Sequence, residues 1–287
     1  MRLLAILVLL ATAAPAADPP DPGVRPTAVA GRFYEQDPDR LQTGVDAMLA
    51  AACEPVAGRP VGLLSPHAGY IFSGQLAADA WRQLAGRELD VVVILGTNHA
   101  AAPFRGASVY PGQAYRTPLG ECHVDRDLAA RLLADHDDLV RFDPAYHRRE
   151  HSVEVQVPFA QTVLPGVPIL PLVIATNHPD DCRKLGEALA RVLADHRAVI
   201  VASSDLSHYP DAATAVGADS AVLAAAATLA PDRVSRAIAE LEGRRTPGLA
   251  PRQVGEPLGL VALLDPVGVV KAEGRLHHRP AGQQGRV

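Results

Sequence analysis

Three apolar runs in this chain each end in a short loop that carries a histidine. Val61-Gly62-Leu63-Leu64 leads into Ser65-Pro66-His67-Ala68-Gly69-Tyr70, and Val91-Val92-Val93-Ile94-Leu95 into Gly96-Thr97-Asn98-His99. Val199-Ile200-Val201-Ala202 leads into Ser203-Ser204-Asp205-Leu206-Ser207-His208-Tyr209. As strands of one parallel sheet, these runs put all three loops at the same edge, where ligands of open α/β sheets bind. The spacing predicts one histidine-rich pocket assembled from segments far apart in the chain.

The rest of the chain agrees with an α/β architecture. Helical apolar spacing marks 39–52, 73–84, 125–133, 180–194, 219–229 and 231–241, with a further helix at 153–163 whose start is blurred by β-branched residues and Pro158. Ser73 or Gly74 is expected to cap the second of these. Ile169-Leu170-Pro171-Leu172-Val173-Ile174 and Ala107-Ser108-Val109-Tyr110 read as further strands. Alternation of strands with helices implies a mainly parallel sheet flanked by helices on both faces. No repeat or linker interrupts 18–267, which is read as one domain, followed by an irregular tail at 268–287.

The first residues form a separate unit. Met1-Arg2 is basic, Leu3 to Ala14 is apolar, and Ala14-Pro15-Ala16 offers small residues for a peptidase, so 1–17 reads as a secretory signal peptide. The apolar stretch is about a dozen residues, short of the roughly 20 that span a bilayer; an uncleaved anchor is the alternative. The expected location is therefore periplasmic or secreted, or cytoplasmic if the start is mis-assigned. A net charge of -5 without a Lys/Arg cluster among aromatics argues against a nucleic-acid partner. Three cysteines permit at most one disulfide in an oxidising compartment, and no CxxC supports a zinc knuckle.

Four segments carry candidate chemistry. Pro66 and Gly69 shape the loop of His67, and Asn98 can orient the His99 imidazole or bind substrate. Asp205 and His208, three apart, share a face if their loop makes a helical turn, where the carboxylate can fix the tautomer of a ligand histidine or raise the basicity of a catalytic one. Alternatively, Asp205 or Ser204 caps a helix. Arg149-Glu150-His151-Ser152-Val153-Glu154 adds a polar helix start that is not the H-E-x-x-H of a metalloprotease; its bland reading is a solvated charged face.

Together, S-P-H-A-G-Y-I-F-S-G, G-T-N-H, E-H-S-V-E-V-Q-V-P-F and S-S-D-L-S-H-Y, in this order, resemble the Memo family, whose bacterial and archaeal members are called AmmeMemoRadiSam system protein B. Val24-Arg25-Pro26, Ala30-Gly31-Arg32-Phe33-Tyr34 and Thr117-Pro118-Leu119-Gly120 extend the resemblance over roughly 24–264. It implies a fold like that of class III extradiol dioxygenases, which use non-haem iron. It also matches His67 and His99 to two pocket histidines, and Asp205 and His208 to a further pair. A cysteine in a C-G-x-x-P-I-like run usually completes that pocket; here Gln253 to Leu258 has Val254 in its place, with Glu256 as a conceivable oxygen donor. The family's name refers to partners that include a radical SAM protein and an AMMECR-type protein, which implies a functional link to both.

Two readings of function follow. In the first, His67, His99 and His208 bind a metal ion, iron or copper with zinc also admissible. His208, Asp205 and His151 then handle protons in a dioxygenase-like oxidation of an unidentified small molecule. In the second, the protein is a non-catalytic scaffold that keeps a vestigial pocket and binds a peptide or partner protein.

Overall fold

A computed structural model describes residues 22–243, apart from 61, 136, 137, 209 and 229. The export signal expected at 1–17, the stretch 253–258 and the tail 268–287 lie outside the described residues. In chain order the strands are β1 (Val24–Arg25), β2 (Gly62–Ser65), β3 (Val91–Thr97), β4 (Ala107–Val109), β5 (Ala114–Thr117), β6 (Gly120–His123), β7 (Val140–Arg141), β8 (Ile169–Ile174) and β9 (Ala198–Ser203). The helices are α1 (Pro38–Ala50), α2 (Tyr70–Trp81), α3 (Arg126–Asp135), α4 (Pro144–Arg148), α5 (Val157–Val163), α6 (Pro179–Val192), α7 (Ala212–Ala226) and α8 (Pro231–Gly243).

The main sheet has six strands in the order β2-β9-β3-β8-β4-β7. Its four long neighbours β2, β9, β3 and β8 run parallel, while β4 pairs antiparallel to β8 and β7 runs parallel to β4. Strand β3 shows why both faces must be covered. Val92 and Ile94 pack with Leu41 of α1, Trp81 of α2 and Phe159 of α5. Val91, Val93 and Leu95 point the other way, onto Leu128 of α3 and Leu185 and Leu189 of α6. A period of two with no polar residue on either side is the pattern of a strand buried between two helical layers. Each such Val or Ile contributes about 1.5–3 kcal/mol by burial. A smaller sheet, β1-β5-β6, brings the N-terminal segment against the 114–123 hairpin. Among the described residues no helix is long and apolar enough to cross a membrane.

Several local expectations shift. Helix α2 starts at Tyr70 with Gly69 at its cap and no side-chain cap, and the Ser73 hydroxyl instead donates to the Ala68 carbonyl. Helix α7 starts earlier than its apolar spacing indicates, because Asp211 accepts from the Ala213 and Thr214 N–H groups and the alanine-rich first turns show no periodicity. Residues 154–156 form a 3-10 turn before α5, which takes Pro158 in its first turn, where no intrahelical N–H is needed. No disulfide joins the three cysteines: Cys53 is exposed, and burial pushes the thiols of Cys122 and Cys182 up to about 12, leaving them unreactive.

Helix α4 escaped the sequence reading, and it carries a buried histidine. His147 lies between the Ser108 hydroxyl, 2.9 Å from Nε2, and the Tyr115 hydroxyl, 2.8 Å from Nδ1. Burial, reinforced by the Arg25 charge and only partly opposed by Glu150, holds its imidazole down at about 3. The folded protein thus binds this proton far less readily than the unfolded chain. Stability is full above pH 6.5 and is lost as pH falls from 6.5 towards 3. Between pH 6.5 and 5 this one group is expected to remove about 2 kcal/mol. Urea unfolding of the native protein and of His147→Gln at the two pH values measures it; equal pH slopes in both proteins would show that His147 does not carry the effect.

Candidate metal centre

The parallel register sets the edge on which the centre is built. Ser65 at the end of β2 pairs with Ser203 at the end of β9, and Leu95 of β3 pairs with Ala202. The loops of His67, His99 and His208 therefore leave the sheet side by side. A fourth segment, 150–156, crosses this edge. It approaches β3 so closely that a Cβ on Gly96 would meet the Ser152 hydroxyl at 2.4 Å and a Val153 methyl at 2.6 Å. Any larger residue at 96 would push the segment off the sheet.

That crossing delivers His151 to the pocket. His67, His99 and His151 present ligand atoms that all lie within 4.8 Å of one another. Their rings are in contact, with centroids 5.2 Å apart for His67 and His99, 5.5 Å for His67 and His151, and 4.4 Å for His99 and His151. His67 is buried, His151 is half-buried and His99 is exposed.

Hydrogen bonds determine which ring nitrogen of His67 and His99 faces inward. The Trp81 indole can only donate, and it donates to Gln156 Oε1 at 2.8 Å, which orients the amide. The Gln156 Nε2 then donates to the Pro66 carbonyl at 2.8 Å and to Ser203 Oγ at 2.9 Å. The single Ser203 hydroxyl proton goes to the Ser152 carbonyl at 2.6 Å. Ser203 Oγ can therefore only accept from His67 Nδ1, 3.1 Å away, so His67 carries its proton on Nδ1 and a lone pair on Nε2. His99 is set by Glu150 in the same sense. Nδ1 donates to Glu150 Oε1 at 2.9 Å and the His99 backbone N–H to Oε2 at 2.7 Å. Glu150 Oε1 also accepts from the N–H groups of His151 and Ser152 at 2.8 and 2.9 Å. Burial works to raise the Glu150 carboxyl, but the His99 hydrogen bond and charge and the converging N–H groups outweigh it and hold the group at about 2. Burial lowers His151 to about 4, against the opposing charge of Glu150, so its imidazole is neutral at neutral pH.

Asp205 and His208 adjoin this cluster through a different geometry from the one expected. Their loop forms no helical turn, and Asp205 caps no helix. Instead Asp205 Oδ1 accepts from the backbone N–H groups of His67 at 2.6 Å and Ala68 at 3.0 Å, tying the β9 loop to the β2 loop. Its Oδ2 lies 3.8 Å from His67 Nε2 and 3.6 Å from His208 Nε2. His208 reaches the cluster through this carboxylate and is not among the three histidines that come together. Asn98 turns away from its expected role: its side chain closes its own loop, donating to the Ala101 carbonyl at 2.9 Å and accepting the Ala101 N–H at 3.0 Å.

The expected solvated face of 150–154 is replaced by buried ionic contacts. Glu154 is fully buried and pairs with Arg25; it also accepts from the Ala28 and Val29 N–H groups at 2.8 and 3.1 Å and from the Tyr34 hydroxyl at 2.6 Å. Arg25 continues to the His147 carbonyl through Nε at 2.9 Å and to the Glu150 carbonyl through Nη2 at 2.6 Å. The segment preceding His151 is thus held by a residue from the N-terminal strand. Sequence reading assigned no such role to Arg25, Gln156 or Ser203. The available signal was the strict alternation Glu150, Ser152, Glu154, Gln156: four polar side chains, all buried, on every second residue.

The donor set fits a metal ion. With Nδ1 of His67 and of His99 anchored, Nε2 is the nitrogen each ring has left for a metal, the arrangement of outer partners that fixes ligand histidines in metal sites. Bonds of about 2.0–2.1 Å to zinc need closely spaced donors, and the ligand atoms of the three histidines all lie within 4.8 Å of one another. Replacing Glu150 by Gln would turn an N–H towards the donors that the carboxylate now accepts. Glu150→Gln is expected to weaken metal binding by about 10–100-fold, measured by competition with a chelator; unchanged affinity would remove Glu150 from the centre.

An α/β sheet with three clustered histidines at the carboxyl edge of its parallel strands defines the class. The family model described as Memo-like protein matches residues 25–252, and the chain belongs to the Memo family. Its relatives include a MEMO1 family protein of Desulfurococcus amylolyticus, 36% identical over 64% of this chain and 69% of that protein. Another, from Thermotoga petrophila, is 36% identical over 70% of this chain and 76% of that protein. A solved structure of an uncharacterized protein, JW3007 from Escherichia coli K12, aligns at a TM-score of 0.40 and 17% identity, over 63% of this chain and 78% of that one, too distant to add to the family match.

Proposed function

We propose that the protein binds one metal ion through His67, His99 and His151 and uses it for an oxidative reaction on a small organic molecule. The observation that carries this reading is the convergence of the three imidazoles, with Nδ1 of His67 and His99 engaged by Ser203 and Glu150. Three imidazole nitrogen donors suit iron or copper, with zinc also admissible. When bound, such an ion supplies Lewis acidity and, as iron or copper, a redox centre with open coordination positions. The residues around it supply the rest. Asp205 Oδ2 faces both His67 and His208, so His208 stands where its Nε2 can pass a proton to or from a substrate, with the carboxylate 3.6 Å from it. His67 is buried and keeps that side of the pocket dry, whereas the exposure of His99 and His208 leaves the other side open.

The experiment is oxygen uptake by tag-free protein reconstituted with iron or copper and offered a panel of phenols and catechols. Uptake that disappears in His67→Ala and shows an altered pH profile in His208→Ala supports the reading. Stoichiometric metal with no uptake across the panel favours a binding protein instead. Residues 1–17 support export, tested by the N-terminus of the mature protein in cell fractions. Links to a radical SAM protein and an AMMECR-type protein are tested by co-purification.

A further inference from the structure

A cavity of about 270 Å³ lies beside the histidine cluster, between the 31–35 turn, α1 and the start of α2. This is near the small end of ligand pockets, which run about 300–1,000 Å³. Phe33 lines it and also packs against His151, with ring centroids 4.7 Å apart, so one side chain separates cavity from cluster. Most of the wall is apolar, with Arg32, Glu35 and Arg40 as the charged residues in it. Tyr34 and Tyr70 line it with their rings, because both hydroxyls are spent in the interior, on Glu154 at 2.6 Å and on the Val155 carbonyl at 2.7 Å.

Two features mark this space as built for a ligand. Gly44 lies in the middle of α1, where alanine is the better helix former, and a Cβ there would meet nothing within 4 Å. Ile71 lines the cavity while 89% exposed, which leaves apolar surface for a ligand to cover. The charges around the cavity give its sign. Arg40 and Glu35 pair at 3.7 Å, whereas the Arg32 side chain makes no hydrogen bond or ion pair among the described residues. One guanidinium is left over.

We propose that this cavity is the recognition subsite of the centre and takes a small organic acid, an apolar or aromatic body seated on Phe33 and Tyr70 with its carboxylate on Arg32. This rests on the reading of the histidine cluster as the reactive centre. A guanidinium with no internal partner matches a carboxylate in a two-pronged hydrogen bond, and the ring wall suits a flat hydrocarbon body. Phe33 would carry the presence of the ligand directly to His151.

The test is calorimetric titration of the full-length protein with 3-phenylpropanoate and with its uncharged amide, before and after metal loading. The carboxylate is expected to bind about tenfold more tightly than the amide, and Arg32→Gln to erase that preference. Gly44→Phe fills the cavity without touching the interior and is expected to abolish binding of both while metal stoichiometry is unchanged. Gly44→Leu serves the same purpose should the phenylalanine variant fail to fold. Addition of 3-phenylpropanoate to metal-free protein is expected to shift the ring signals of His151. Equal binding of acid and amide, or binding that survives both Gly44 variants, overturns the proposal. Loss of metal binding with probe binding intact overturns the metal reading alone.

Discussion

His151→Ala is expected to strip the protein of its metal, while His208→Ala keeps it. On the proposed reading each histidine of the cluster would supply one of three donors, so deletion would remove a bond rather than a support. Losing an outer partner costs about 10–100-fold in affinity; losing a ligand is expected to exceed a hundredfold. His67→Ala and His99→Ala should behave as His151→Ala does. His208 stands behind Asp205 Oδ2 at 3.6 Å and does not share the three-histidine cluster, so its variant should change affinity by less than about tenfold and alter the pH dependence of turnover instead. Elemental analysis of tag-free protein after reconstitution and dialysis separates the cases. The opposite result, with metal lost in His208→Ala and kept in His151→Ala, would assign the ligand set to His67, His99 and His208.

The second large effect is on stability. Arg25→Ala leaves the Glu154 carboxylate fully buried with no countercharge and deprives the His147 and Glu150 carbonyls of their donor. Breaking a buried ion pair from one side costs about 3–5 kcal/mol, or about 10 °C in Tm for a domain of this size. Metal affinity should fall with it, because Arg25 fixes the backbone from which His151 projects. Adding Glu154→Gln removes the stranded charge but keeps an acceptor for the Tyr34 hydroxyl and the Ala28 and Val29 N–H groups, so the double variant is expected to recover part of the loss. Thermal unfolding decides. A loss below about 1 kcal/mol would place this pair with surface ion pairs in energetic weight.

Much of the architecture was legible in the chain because it rests on short-range periodicity. Val91 to Leu95 can be covered only from both sides, and Leu185, Leu189 and Val192 of α6 face one cluster at helical spacing. The three histidine loops followed from the same logic: parallel strands share an edge, and loops that leave that edge meet. Helix starts were harder wherever the cap stood outside the apolar pattern, as with Asp211 before an alanine-rich turn.

What the sequence alone determined was the sheet, its two helical layers and the edge where histidines gather, because hydrophobic burial with a fixed period leaves few alternatives. It could not determine which groups meet there. Glu150 and Glu154 look like a solvated helix start until Arg25, more than a hundred residues earlier, is seen to bury one of them and His99 the other. His151 joins His67 and His99 because Gly96 lets one segment lie against β3. Asp205 spends one oxygen on the backbone of a different loop. These pairings depend on distances of a few ångströms between remote segments, and no local pattern encodes such distances; only the packed tertiary structure decides them.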